Sequence, residues 1–305
     1  MKKILPIMLV IGTALLGSAC DKIDQVEWRV LTPNSDSYTP NMILDYDQGC
    51  TGGPPKVTGG NSITFGSGNN SCAGRLYSDK AYKNISKITA TVDLSKLDNQ
   101  FINATFYAIS NPTNPSQTPK SSTDTYCDAG GSHTEWNCQE LDFFETNGNS
   151  LLQSTMHIGD GGSSAPQRYE MTYSSTAVGS QCYDQSKLNT SSTGMHSMSE
   201  IDISQPFDMT VEFDQGNMTV TYTQGSASVE VYNLDNGSGY EGSGTIDRDR
   251  VISSMADGYW LEVSFWQGWS PGAGGIWTDA CSWGNLCDTT GKSIWSISNI
   301  QVWAN

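Results

Sequence analysis

Within the run "NCQELDFFETNG", residues 137 to 148, three carboxylates share six positions with leucine and two phenylalanines: Glu140, Asp142 and Glu145. Paired carboxyl groups held about 5 to 5.5 Å apart across a glycosidic bond can work as nucleophile and as general acid, the acid then turning base. A third carboxylate between them can hydrogen-bond the nucleophile and hold its orientation. Crowding of like charges raises the pKa of the carboxyl that must stay protonated, which brings an acid role toward neutrality.

Such chemistry requires all three side chains on one face of one element. In a regular strand side chains alternate, so Glu140 and Asp142 share a face while Glu145, five positions after Glu140, points to the other. A one-residue bulge between Asp142 and Glu145 returns Glu145 to the face of the first two. Leu141 and one or both of Phe143 and Phe144 then fill the core behind. With that bulge the two glutamates lie roughly 13 Å apart along the backbone at about 3.3 Å per residue, and their side chains lean together. A solvated acidic strand edge would also space charges irregularly and needs no bulge.

The rest of the chain reads as all-β. "NSITFGS", "KITATVDLS", "INATFYAIS", "FDMTVEF", "MTVTYTQ", "SVEVYNL", "YWLEVSFW" and "SIWSISNIQVW" alternate or cluster β-branched and aromatic residues. Gly, Asn, Ser, Asp and Pro punctuate the gaps. The one helix candidate runs from about Arg248 to Met255. Many strands with turn-rich links predict a two-sheet sandwich without an internal repeat or a second domain. In "YWLEVSFW" period two puts Trp260, Glu262, Ser264 and Trp266 on one face and Tyr259, Leu261, Val263 and Phe265 on the core face.

Residues 1–19 carry two lysines, an apolar run and small residues before Cys20, the pattern of an export signal. Gly17-Ser18-Ala19-Cys20 resembles a bacterial lipobox, so lipid on Cys20 is the expected membrane tether of an exported or secreted chain. Residues 20–40 are read as a spacer and 41–305 as a single domain. Loss of Lys2 and Lys3 with the signal leaves 14 basic against 32 acidic side chains, which excludes nucleic acid as a natural partner and leaves a neutral polysaccharide unopposed. With Cys20 set aside, seven cysteines remain. Joining neighbours gives Cys50–Cys72, Cys127–Cys138 and Cys281–Cys287 with Cys182 over, although seven cysteines admit other connectivities. No cysteine and histidine spacing fits zinc, and neither "LDNGSGYEG" nor "DYDQG" has the ligand spacing of a calcium loop. No metal or cofactor is therefore expected.

"CQELDFFETN" resembles the signature strand of glycoside hydrolase family 7, the retaining cellulases, in which Glu-x-Asp-x-x-Glu is followed by a small residue and Asn. Glu140, Asp142, Glu145 and Asn147 match that pattern. Family 16 laminarinases and galactanases share the acidic spacing. The flanks are similar to family 7 in order and character: "VTGGNSITFG" (57 to 66), "CAGRLYSDKAY" (72 to 82), the long stretch 88 to 110, "TYCDAGG" (125 to 131), "STMH" (154 to 157), "FDMTVEFD" (207 to 214), "LEVSFWQGWSPGAGGIWTDAC" (261 to 281) and "SISNIQVW" (296 to 303).

The resemblance implies a concanavalin A-like jelly-roll β-sandwich whose concave sheet forms a glucan cleft. It implies Glu140 as nucleophile, Asp142 as its partner and Glu145 as acid/base, with His157 binding a hydroxyl or tuning Glu145. Trp266 and Trp277 become sugar platforms, each offering a flat apolar face to a pyranose. Tyr126, Asp128, Arg75, Asn147 and Asp279 complete the implied substrate contacts. The chain is short for the family and lacks most of its cysteine-rich loop segments, so the expected activity is that of a monomeric retaining endo-β-1,4-glucanase with an open cleft. Two other readings stand beside it: a family 16-like β-1,3 or mixed-linkage glucanase or galactanase, and a glycan-binding lectin on the same sandwich.

Overall fold

The structure is a computed structural model that describes residues 21–23, 28–31, 56–58, 62–65, 74–78, 81–97, 102–110, 139–146, 151–158, 167–174, 195–197, 200–236, 247–267 and 293–304. At residues 21–23, 28–31, 56–58, 74, 75, 77, 102, 103, 151, 167–174, 195–197, 265–267 and 293 that description covers the backbone alone.

The first strands are β1 (Asp21–Ile23), β2 (Trp28–Leu31), β3 (Lys56–Thr58), β4 (Ser62–Phe65) and β5 (Gly74–Ser78). Next come β6 (Lys87–Leu97), β7 (Ile102–Ser110), β8 (Gln139–Thr146), β9 (Leu151–Ile158), β10 (Gln167–Ser174) and β11 (Met195–Ser197). The chain then forms β12 (Phe207–Asp214), β13 (Asn217–Gln224), β14 (Ala227–Asn233), helix α1 (Arg248–Asp257), β15 (Tyr259–Gln267) and β16 (Ser293–Ala304).

These strands build two eight-stranded sheets. One runs β14-β13-β12-β6-β16-β4-β3 with β1 added on β16, and the other runs β11-β10-β9-β8-β7-β15-β5-β2. Every pairing is antiparallel except that of β10 with β11. Sheet partners far apart in sequence, such as β6 between β12 and β16, give the two-sheet sandwich expected from the strand pattern, in the jelly-roll form that the resemblance implied. The nine strands read from alternation are all present, and the helix candidate is α1, whose N-cap Asp247 accepts from the backbone N–H of Arg250.

Differences arise where segments are short or polar. The stretch read as a spacer contains β1, paired with β16, and β2, paired with β5. At three and four residues these strands are too brief to display a period, and their partners define them. β9 and β10 also went unread. β9 has a serine, Ser154, in the middle of its core-facing positions.

Strand alternation drives the two sheets together. β6 shows it directly, with Ile88, Ala90, Val92 and Leu94 buried and the residues between them partly exposed. Aromatic rings close the gap between the layers. Trp295 of β16 stacks on Phe65 at 5.2 Å and meets Phe144 of β8 edge-on at 5.6 Å. Phe143 of β8 meets Phe213 of β12 at 6.0 Å and Phe106 of β7 at 5.0 Å. The β12–β13 hairpin turns at Gln215 and Gly216, both at positive φ, and a Cβ on Gly216 would stand 2.7 Å from the backbone oxygen of Arg248. Glycine is thus required there both by conformation and by the close approach of the start of α1.

Candidate functional site

The carboxylate segment is β8, the fourth strand from one side of its sheet, flanked by β9 and β7. It is not a solvated edge. The expected bulge is present: β8 slips register between Asp142 and Glu145 against β9, and between Asp142 and Phe144 against β7, leaving Phe143 as the additional residue. Both phenylalanines are fully buried in the core. On the β9 side the bulge is matched by Ser154, whose hydroxyl donates to the Phe143 carbonyl oxygen at 2.7 Å.

Residues paired across neighbouring strands point to the same side of a sheet. Register therefore assembles three rows on the face turned away from the core. The first holds His157, Glu140, Ile109 and Trp260; the second Thr155, Asp142, Tyr107 and Glu262; the third Gln153, Glu145, Thr105 and Ser264. Between them, on the opposite side, stand Met156, Leu141, Ala108 and Leu261, then Phe144, Phe106 and Val263. Glu140, Asp142 and Glu145 thus occupy one face, as the chemistry requires.

That face is polar but largely withdrawn from solvent. Thr105, Asp142, Gln153, Thr155, Glu262 and Ser264 are all buried, while Glu140, Glu145, His157 and Trp260 are half-buried. Buried polar groups of this kind must be satisfied by one another or by a ligand. Two contacts show the first. The His157 Nε2 lies 3.2 Å from Asp142 Oδ2, and the Tyr107 hydroxyl donates to Glu262 Oε2 at 2.9 Å. The Thr105 hydroxyl, in the row of Glu145, meets no hydrogen-bond partner among the described residues.

The structure brings together Glu140, Asp142, Glu145 and His157 but changes the partner of the histidine. His157 stands opposite Glu140 and contacts Asp142, whereas the residue opposite Glu145 is Gln153. The resemblance does not anticipate this because β8 and β9 pair as neighbouring antiparallel strands, and their register returns His157 to the start of β8. Arg75 pairs with Ser264 and Trp266 with Asn103 along the backbone, which extends the rows to β5 and the end of β15. Trp277, Asn147, Tyr126, Asp128 and Asp279 lie outside the described residues, as do all eight cysteines. Trp295 is a core residue and Trp303 is half-buried at the other sheet.

Sequence reading missed Tyr107, Thr105 and Gln153 as members of the face. The signal was there for the first two, since "INATFYAIS" puts them at period two, but a strand buried on both sides shows no polar alternation to mark them.

No family model and no curated protein matches the chain. Solved structures do. A double mutant of the Humicola insolens endocellulase EGI aligns over 82% of this chain and 77% of its own at 12% identity, with a TM-score of 0.51, and shares the sandwich fold. The catalytic domain LamAcat from Zobellia galactanivorans covers 94% of this chain and 98% of its own at 13% identity, TM-score 0.49. A Bacteroides ovatus mixed-linkage glucan family 16 protein, in complex with a glucan product, covers 92% and 99% at 13% identity, TM-score 0.47.

Proposed function

We propose that the protein is a retaining endo-acting glycoside hydrolase of β-linked glucans, with β-1,4 linkages as the preferred target. The observation that carries this reading is the bulge at Phe143, which turns Glu145 onto the face of Glu140 and Asp142 in the middle of a sheet. A purely structural strand has no use for a bulge that gathers three carboxylates on one partly desolvated face, where mutual repulsion costs stability.

In this reading Glu140 attacks the anomeric carbon as Glu145 delivers its proton to the departing glycosidic oxygen. The carbon–oxygen bond breaks and a glycosyl ester forms on Glu140. Glu145, now a carboxylate, takes a proton from water, which displaces Glu140 and restores both groups. Asp142 lies in the row between them and orients Glu140. His157 Nε2 supports the Asp142 carboxylate and so limits its freedom to turn away. The half-buried Trp260, in the row of Glu140, supplies an apolar face for a sugar ring. The signal-like residues 1–19 and the lipobox-like Cys20 fit an exported enzyme, tethered by lipid or released, that meets polymeric substrate outside the cell.

The test is product analysis on carboxymethylcellulose, mixed-linked glucan, laminarin and xylan, with Glu140→Gln alongside. Oligosaccharides released from a β-1,4-linked glucan by the wild type alone are the expected result. Wild-type turnover by Glu140→Gln would remove that residue as nucleophile, and glycan binding without release from any polymer would make the protein a lectin.

A further inference from the structure

Thr105 of β7 stands between two core residues, Ala104 and Phe106, so its side chain faces the carboxylate side of the sheet. It is 4% exposed, its hydroxyl oxygen is closed to solvent, and that oxygen has no hydrogen-bond partner among the described residues. A buried hydroxyl without a partner destabilises a fold. Valine has nearly the same shape and the same preference for strands, and would remove that cost. Folding therefore does not account for the threonine, and its hydroxyl calls for another explanation.

Register supplies the candidate partners. Thr105 pairs with Glu145 of β8 on one side and with Ser264 of β15 on the other. The bulge at Phe143 decides the first pairing. A regular ladder continued from Tyr107 and Asp142 would set Phe144 against Thr105 and Glu145 against Ala104; the register shift between Phe106 and Tyr107 moves Glu145 opposite Thr105 instead. Directly opposed residues hold their Cβ atoms about 4.5–5.5 Å apart, within the reach of a glutamate side chain. Ser264 is fully buried and, where packing holds it, does not meet the Thr105 hydroxyl. Glu145 is half-buried and has interactions of its own, but rotation about its side-chain bonds carries a carboxyl oxygen to Thr105 while the strands stay in place.

We propose that Thr105 is a positioning residue for Glu145: its hydroxyl donates to the carboxylate that Glu145 becomes on giving its proton to the leaving group, and holds that carboxylate for the second half of the reaction. This rests on the glycosidase reading. The hydroxyl has one proton to share and the carboxylate accepts it, so no further proton changes hands. A bond to the carboxylate is charge-assisted and stronger than one to the protonated carboxyl, so it favours release of the Glu145 proton. The other titratable groups named on this face are Glu140 and Asp142 on the same strand, His157 on β9, Tyr107 on β7 and Glu262 on β15. None stands in the row of Glu145, and all are common to wild type and a Thr105 variant.

The experiment records the pH dependence of kcat/KM for wild type, Thr105→Val and Thr105→Ser on the β-glucan that the wild type cleaves best and on a dinitrophenyl β-glycoside of the same sugar, with thermal unfolding alongside. Thr105→Val is expected to keep or raise the unfolding midpoint, since it removes an unpaired hydroxyl. On the glucan its plateau kcat/KM should fall about three- to tenfold. Its basic limb, which reports the proton on Glu145, should move up by about one pH unit, a tenfold change in that ionisation. The loss on the dinitrophenyl glycoside, whose leaving group needs no proton, should be markedly smaller. Thr105→Ser, which keeps the hydroxyl, should return the basic limb toward wild type. A midpoint well below wild type in Thr105→Val, or failure to fold, would show the hydroxyl to be paired within the folded protein and overturn the proposal. So would an unmoved basic limb, or equal losses on the two substrates. A wild type that cleaves no polymer defeats the glycosidase reading and this inference together; an active wild type with an indifferent Thr105→Val defeats only this one.

Discussion

Ser154→Ala tests whether the bulge is held in place or merely tolerated. The Ser154 hydroxyl donates to the Phe143 carbonyl at 2.7 Å, and both residues are buried. Phe143 is the additional residue of the bulge, so this bond ties the irregular carbonyl to β9 where the ladder is interrupted. Alanine removes the donor and leaves a buried carbonyl short of a partner, at a cost of about 1–3 kcal/mol. The cavity left by one oxygen is small, so little is added by packing. At about 2 °C per kcal/mol for a chain of this size, the midpoint of thermal unfolding should fall by about 2 to 6 °C.

The larger effect should fall on catalysis. Glu145 follows the bulge by two residues, and a misplacement of about 1 Å at a reacting group can cost a hundredfold in rate. We therefore expect kcat on a soluble β-glucan to fall at least tenfold, KM to change little, and Ser154→Thr, which keeps the hydroxyl, to recover much of the loss. Calorimetry and steady-state kinetics on the three proteins decide the matter. A Ser154→Ala protein with wild-type midpoint and wild-type kcat would refute the reasoning, since the bulge would then stand without its tether.

Two further expectations follow from the same face and from the core. His157→Ala removes a partner from the buried Asp142 carboxylate and should cost about 1.5–3 kcal/mol, whereas adding Asp142→Asn should restore part of that loss because no charge is left to support; denaturant titration of the single and double variants measures the coupling, and simple additivity would argue against an energetic pair. Burial lifts the Tyr259 phenol above its ordinary value of 10.0, so its contribution to stability is complete below about pH 10 and is lost as pH rises toward the folded-state value. Denaturation midpoints between pH 8 and 11 should fall more steeply for wild type than for Tyr259→Phe, and parallel curves would assign alkaline unfolding to other groups.

What was legible in the sequence divides along a physical line. The face of each carboxylate could be read because strand alternation is local: Glu140 and Glu145 five positions apart, with two phenylalanines between Asp142 and Glu145, cannot serve one face without an additional residue. The consequences of that bulge on the neighbouring strand could not be read. Where two residues of β8 oppose one of β9, that one is Ser154, a polar residue in the line of Leu152, Met156 and Ile158, and it breaks the apolar alternation that would have announced β9. The feature that makes the site thus hides the strand that supports it.

Partnership across strands was equally out of reach, because register is set by hairpin connections and by strands distant in sequence. The resemblance associates His157 with Glu145, yet pairing carries it back to Glu140 and Asp142. Glu262 was correctly read as facing away from the core, but its partner Tyr107 lies 155 positions earlier and is joined to it only by the β7–β15 pairing. A period locates a side chain on a face, and only pairing decides what it meets there. The chemistry of this face is therefore a property of four adjacent strands, β9, β8, β7 and β15, and variants that exchange partners across them are the informative ones.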